Sequence, residues 1–295
     1  MKRFHSLLLP LDGSLHAAKA IGCALWLRER LGARLHVLHA GPQPLPDQDA
    51  LSRLHIPQTE GAHVILHQLA GQADQAVLQA IHTYGADLVV MATRGESASA
   101  KLKLSQRLGS IAQAVIEQSP VPVLLLPLHY REHLPWTSML AAASGEQAAD
   151  RALEKATHLA AALKLKVTVI HAGNGPAPAG ARPLGDYVDA AHHEYPGRVQ
   201  EMVERGLTGC TPEESHCVDQ ALVRQGNAAT VLLDQIKRQS CNVLALGWHG
   251  TLGTGHALVL KRLLEEAECA LLLVRATEKS GARLKIGADI DGRIF

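Results

Sequence analysis

Short apolar runs alternate along this chain with stretches whose apolar residues recur at helical spacing. In the first half, runs at 6–11, 34–39, 63–69, 88–92 and 123–126 predict five strands. The stretches between them predict helices at 15–31, 73–84 and 105–118. The stripe Ala20, Ile21, Ala24, Leu25 and Leu31 gives the first helix a buried face, and Ser14 is placed to cap it. The Pro-rich stretch from Gly41 to Pro46 interrupts regular structure. The second half repeats the order, with strands at 138–143, 166–171, 215–223, 243–246 and 270–274 and helices at 147–163, 228–239 and 257–267. Strands this apolar, separated by amphipathic helices, predict a parallel sheet covered on both faces.

The repetition extends to single residues. Gly85-Ala-Asp-Leu-Val-Val-Met-Ala-Thr-Arg-Gly95 matches Ser240-Cys-Asn-Val-Leu-Ala-Leu-Gly-Trp-His-Gly250, an offset of 155 that Gly71 and Gly226 share. Leu35-His-Val-Leu-His-Ala40 matches Val167-Thr-Val-Ile-His-Ala172 at an offset of 132. The change of offset places extra residues in the second half between its second and third strands, within 173–214, a segment rich in Gly, Pro and Ala. Its opening part reads as poorly ordered. A repeat of this kind implies a duplicated structural unit, with domains at 1–133 and 134–277 and a tail at 278–295 that has no clear periodicity.

Composition narrows the function classes. The 295 residues suit two domains of roughly 150 residues. Hydrophobic content of 47% with only 3% aromatic predicts an aliphatic core. A formal net charge of +1 argues against a dedicated nucleic-acid binder. No apolar run approaches the roughly 20 residues of a membrane span, and the apolar stretch after Met1 is broken by Pro10 and stopped by Asp12, too early for a signal peptide. A cytoplasmic, reducing location is the expectation. The five cysteines, Cys23, Cys210, Cys217, Cys241 and Cys269, have no framework spacing and read as free thiols. Cys210 and Cys217 with His216 between them match no zinc pattern, and no spacing among the 17 histidines selects a metal site. His36 and His39 point to opposite faces of a strand, whereas His63 and His67 would share a face about 13 Å apart.

Open parallel sheets bind ligands beyond the carboxyl ends of their strands. The loops there in the first half are Pro10-Leu-Asp-Gly-Ser14 and Met91-Ala-Thr-Arg-Gly95. Glycines let backbone amides approach a phosphate, and a following helix N-terminus adds roughly half a positive charge. Gly109-Ser110 offers amides and a hydroxyl of the same kind, while a carboxylate such as Asp12 suits ribose hydroxyls or an amino group. Asp-Gly-Ser is equally an ordinary turn and helix cap. Lys101, Lys103 and Arg107 read either as a phosphate grip or as a solvated surface loop. Trp248 and His249 either stack on a ligand or fill the second site themselves.

Leu8-Leu-Pro-Leu-Asp-Gly-Ser14, Leu38-His-Ala40, Gly85-Ala-Asp-Leu-Val-Val-Met91, Gly109-Ser110 and Pro120-Val-Pro-Val-Leu-Leu125 resemble the universal stress protein family. The second half resembles it through Arg151-Ala-Leu-Glu154, Val169-Ile-His-Ala172 and Leu246-Gly-Trp-His-Gly250. The resemblance covers 1–277 and implies a tandem member. Its implied fold is two tandem five-stranded parallel-sheet α/β sandwiches of strand order 3-2-1-4-5. The two would pair through strand five, whose apolar edge invites capping by another strand. It also implies ATP or another adenine nucleotide as ligand. The implied binding residues are Asp12 for the nucleoside, Ala40 for backbone contact to the base, Gly95, Gly109 and Ser110 for phosphates, and Pro10, Met91, Ala92 and Ile111 beside them. Gly247, Gly250 and Gly253 are weaker counterparts in the second half.

Both copies depart from the family's ATP-binding signature, Gly-x2-Gly-x9-Gly followed by Ser or Thr. In the first, Ala92 replaces the first glycine and the spacer from Glu96 to Leu108 is four residues longer. In the second, Ser144-Gly145 replaces Asp-Gly, and the closing Gly-Ser is absent. There is no Gly-Lys-Ser/Thr phosphate loop and no clear catalytic base or set of metal carboxylates, so hydrolysis is expected to be slow at most. Three readings follow. The first is a cytoplasmic stress-response protein binding an adenine nucleotide mainly in the first half, with no nucleic-acid or membrane partner and with self-association as a homodimer left open. The second is a nucleotide-independent scaffold or sensor with degenerate sites. The third is an adenylylating enzyme, disfavoured because no phosphate loop follows strand one.

Overall fold

A computed structural model describes residues 4–94, 108–173, 196–249, 252 and 257–276. The first half begins with β1 (Ser6–Pro10) and α1 (Leu15–Leu31). Ser14 Oγ accepts the Ala17 amide at 3.1 Å, supplying the cap that the sequence predicts. Gly32, at φ +61°, ends the helix in the left-handed conformation that costs glycine least. Then come β2 (Arg34–Ala40), α2 (Asp47–Arg53), β3 (Ile65–Leu69), α3 (Ala73–Thr83), β4 (Leu88–Ala92), α4 (Ser110–Gln118) and β5 (Val123–Leu126). The second half runs through β6 (Ser138–Ala143), α5 (Gln147–Leu163), β7 (Lys166–Gly173), α6 (Pro196–Gly206), α7 (Pro212–Ser215), β8 (Val218–Gln225), α8 (Ala228–Gln239), β9 (Val243–Trp248), α9 (Leu258–Glu266) and β10 (Ala270–Arg275).

All ten strands form one sheet of order β3-β2-β1-β4-β5-β10-β9-β6-β7-β8. Each half has the expected order 3-2-1-4-5 and is parallel within itself. The halves meet where β5 pairs antiparallel with β10, setting Leu125 opposite Leu271, Leu124 opposite Leu272 and Val123 opposite Leu273. Each half thus caps the edge that the other would expose, as the apolar strand-five sequences predict.

Alternation along the strands divides the core in two. Leu7 and Leu9 face a cluster with Ala20, Ala24 and Leu27 of α1 and Ala152, Ala156 and Leu159 of α5. Leu8 faces the opposite cluster, with Val77 and Ile81 of α3, Ile116 of α4 and Leu263 of α9. Both clusters contain residues of both halves. The segment joining the halves is pinned to α1 by Trp136, buried with its ring 5.0 Å from that of Trp26.

Several expectations are corrected, among them the start of α4, expected at 105 but found at Ser110 with Gly109 as its N-cap. Residues 58–63 form a 3-10 turn, so β3 starts at Ile65 and His63 is not on a strand. Residues 212–215 form α7, whose Thr211–Glu214 capping box turns the chain before β8 starts at Val218. Besides α7, two helices went unpredicted: α2, which follows the prolines, and α6, within the extra residues of the second half. They occupy equivalent places, since Arg53 of α2 approaches Gly13 and Met202 of α6 approaches Gly145, 132 residues on. The tail at 278–295 lies outside the described residues, as do Lys101, Lys103 and Arg107.

Candidate functional site

An open cleft lies over the carboxyl ends of β1, β2 and β4. Of the first-half residues singled out above, Pro10 and Asp12 line it from the β1 loop, Ala40 from β2, Met91 and Ala92 from β4, and Gly109, Ser110 and Ile111 from the start of α4. Gly95 lies outside the described residues. The floor is apolar, with Leu38 and Val77 among its side chains.

The β1 loop is held from several sides. The Leu11 amide donates to the Leu38 carbonyl at 2.9 Å, extending the β1–β2 pairing by one residue. His39 Nδ1 lies 3.0 Å from the Leu11 carbonyl oxygen. A carbonyl only accepts, so Nδ1 carries the proton and braces the loop. Gly13 takes φ +84°, and Asp12 Oδ1 accepts the Ser14 amide at 2.9 Å. Asp12 is therefore an ordinary turn residue, as its Asp-Gly-Ser sequence allows, and it also lines the cavity wall.

The α4 side has a different character. Gly109 is the N-cap of α4 and supplies no side-chain hydrogen bond. Its amide donates to the Thr93 carbonyl at 2.9 Å, which ties the helix start to the end of β4. The first amides of a helix have no intrahelical acceptor, and here Ser110, Ile111 and Ala112 open onto the cavity. Arg94, which sequence reasoning passed over, lines the same cavity. Its signal was its place beside the candidate glycine Gly95. A carboxylate thus stands on the β1 side, with a cation and a helix N-terminus on the β4 side.

The second half keeps the scaffold of this site but spans its cleft with its own residues. Gly145 takes φ +80°, His171 Nδ1 lies 2.8 Å from the Ala143 carbonyl, and Ser144 Oγ accepts the Glu146 amide at 3.4 Å. These repeat Gly13, His39 and Asp12 at the same offset of 132, without the carboxylate. Glu146, in the place of Ser14, pairs instead with His249 at 2.7 Å and joins the two loops. Trp248, 7% exposed, is absorbed into the apolar cluster with Leu252 and Leu260, which favours the self-filled reading. The absent side chain of Gly247 serves packing: a Cβ there would run into the backbone of Ala148 and Ala149 in the first turn of α5. Gly250 and Gly253 lie outside the described residues. None of the five cysteines is in a disulfide. Burial pushes Cys217 and Cys241 up to about 11, which leaves both as inert thiols at neutral pH.

The model of the universal stress protein family matches residues 41–127 and 135–275. The chain belongs to the universal stress protein family. Its two matched regions make it a tandem member. One relative is described as the universal stress protein in the QAH/OAS sulfhydrylase 3' region of Thermus aquaticus. It is 35% identical over 144 residues, which cover 42% of this chain and 98% of the relative. A universal stress protein structure from Archaeoglobus fulgidus DSM 4304 aligns over 92% of this chain and 98% of its own, with TM-score 0.61 and 17% identity. A structure of the same kind from Pseudomonas aeruginosa UCBPP-PA14 aligns over 93% and 94%, with TM-score 0.59 and 16% identity. At these identities the likeness concerns the fold. Among the described residues, no helix is long and apolar enough to cross a membrane.

Proposed function

We propose that this universal stress protein is a cytoplasmic stress-response protein that binds an adenine nucleotide, ATP in the first instance, in its first-half cleft. Asp12 contacts ribose hydroxyls or the adenine amino group, the backbone at Ala40 borders the base, and the amides at Gly109, Ser110 and Ile111 receive phosphates. One observation carries this reading: the uncapped N-terminus of α4 opens into the same cavity as Asp12. Arg94 adds positive charge on the phosphate side. The second half acts as the fused partner that covers the β5 edge, its own cleft being bridged by Glu146 and His249.

The reading includes no dedicated catalysis. Asp12 is the one carboxylate among the described residues lining the cavity, and its Oδ1 is engaged by the Ser14 amide. Hydrolysis would need a positioned base or metal ligands beyond that.

The test is to denature the purified protein, identify any released nucleotide, and titrate ATP calorimetrically into wild type and Asp12→Ala. Binding by wild type with at least about tenfold weakening in Asp12→Ala is expected; a charge-assisted hydrogen bond of about 1.5–3 kcal/mol corresponds to such a loss. If wild type releases no nucleotide and gives no heat at millimolar ATP, the scaffold reading replaces this one. If Asp12→Ala binds as tightly as wild type, the nucleoside is not held at Asp12.

A further inference from the structure

Far from any motif, four side chains of the second half converge beside α5. His158 is buried, with 2% of its surface exposed. Its Nε2 lies 3.7 Å from Glu214 Oε2 of α7 and 3.3 Å from the Gly209 carbonyl oxygen. Its Nδ1 faces the other way, 3.9 Å from Oε1 of Glu154, one helical turn back. Cys210 completes the group. One donor atom each from His158, Cys210 and Glu214 can be chosen so that all lie within 4.8 Å of one another.

We propose that His158 Nε2, Cys210 Sγ and the Glu214 carboxylate form a binding site for a borderline-soft divalent cation of the zinc type. The donor set selects the class. Magnesium and calcium prefer oxygen throughout, whereas imidazole with thiolate suits zinc. Metal–ligand bonds of about 2.0–2.3 Å place tetrahedral donors about 3.3–3.7 Å apart. The His158–Glu214 separation already meets that, and Cys210, the remaining donor, needs an inward movement of about 1 Å. The charges also balance, since one thiolate and one carboxylate neutralise a dication. Glu154 stands behind His158 as the carboxylate that fixes ring orientation at many metal sites, and its own charge is accompanied by Lys155 at 3.5 Å.

The surroundings hold the donors in place. Glu214 Oε2 accepts the Thr211 amide at 2.9 Å, and Thr211 Oγ1 accepts the Glu214 amide at 3.2 Å, so the capping box orients the carboxylate. The Cys210 amide donates to the Leu207 carbonyl at 2.9 Å. In the metal-free form the Gly209 carbonyl can only accept, so Nε2 carries the ring proton. On binding, the Nε2 lone pair goes to the cation, the ring proton moves to Nδ1 facing Glu154, and the Cys210 thiol proton leaves to solvent. One proton is released per cation. Three side-chain donors leave a fourth position, and the Gly209 carbonyl oxygen, 3.3 Å from Nε2, stands beside it. The cation would fasten α7 and the turn before it to α5, independently of the nucleotide cleft.

The probe is cobalt(II), which reports thiolate ligation by a charge-transfer absorption, titrated into chelator-stripped full-length protein and then displaced with zinc(II). Wild type should develop the band to a stoichiometry of one and melt at higher temperature with zinc. Cys210→Ser should lose the band while melting with metal-free wild type. Glu214→Gln should bind at least about tenfold more weakly, and Cys217→Ser should behave as wild type. No band in wild type, an undiminished band in Cys210→Ser, or wild-type affinity in Glu214→Gln would each overturn the site. Histidine-only cobalt binding without the charge-transfer band counts against it as well.

Discussion

At the scale of single residues, the histidines separate into distinct uses. His39 and His171 occupy equivalent places and do one job, each holding the carbonyl that precedes a strand-one loop. His36 and His67, on neighbouring strands, share a hydrogen bond, with Nδ1 and Nε2 2.8 Å apart, and His67 stacks on Tyr84 at 3.7 Å. Such a bond needs one donor and one acceptor, so a doubly protonated pair cannot make it. Burial lowers both from the ordinary histidine range, and for His36 the charge of His67 adds to that. The unfolded chain therefore binds more protons than the folded chain below the ordinary histidine value of about 6.5. Full stability is present above that pH and declines as the pH falls towards the lowered folded values. His67→Phe keeps a ring against Tyr84 and removes one titrating group. Urea midpoints of this variant should fall less between pH 7 and pH 5 than those of wild type, at a cost near neutral pH of about 1 kcal/mol for the lost hydrogen bond. An equally steep acid decline in the variant would assign the effect elsewhere.

At the scale of elements, α1 and α5 show how one fold makes one open cleft and one bridged cleft. The first turn of α5 rests on β9 at Gly247, where there is no room for a Cβ. The equivalent residue in the first half is Ala92, whose methyl lines the open cavity. Gly247→Ala should therefore destabilise the protein by about 1–3 kcal/mol through backbone displacement. Ala92→Gly should cost only about 0.5–1 kcal/mol, the ordinary cost of glycine in a strand. Comparing the two urea midpoints tests this, and equal costs would remove the packing argument. The elements most legible in the sequence were long helices: α1, α5 and α8 have the bounds that their patterns predict, and Ser14 and Asn227 cap the first and the last of these. The misjudged ones are short and depend on tertiary contacts. The residues Ala50 in α2 and Val199 and Met202 in α6 are buried against the core, and helices of 7 and 11 residues draw their stability from such packing more than from propensity.

At the scale of the molecule, the two halves share both cores and one sheet. Calorimetry should give a single unfolding transition with equal calorimetric and van't Hoff enthalpies. Leu272, fully buried in β10 opposite Leu124 of β5, tests the seam. Leu272→Ala should lower that one transition by about 2–5 kcal/mol without splitting it. Two separated transitions in wild type would show that the halves unfold independently. The seam also carries a polar tie between the halves: the Leu252 amide of the second half donates to Glu117 Oε1 of α4 at 2.7 Å. The helix whose N-terminus opens onto the first cleft is thereby attached to the second.

The local chemistry of the chain determined the alternation of strands and helices, the duplication, the strand order implied by the family resemblance, and the apolar strand-five edges that had to be paired. These rest on periodicity, caps and short motifs, which act between residues close in sequence. The convergence of the eight described first-half candidates on one cavity was anticipated from motif positions, but the part played by Arg94 was not. Nor was the bridging of the second cleft by Glu146 and His249, the stack of His36, His67 and Tyr84, or the meeting of His158 with Cys210 and Glu214, residues more than 50 positions apart. Only the tertiary structure decided these, because side chains from separate elements become neighbours only after the sheet has set the helices in place, and no spacing along the chain records that distance.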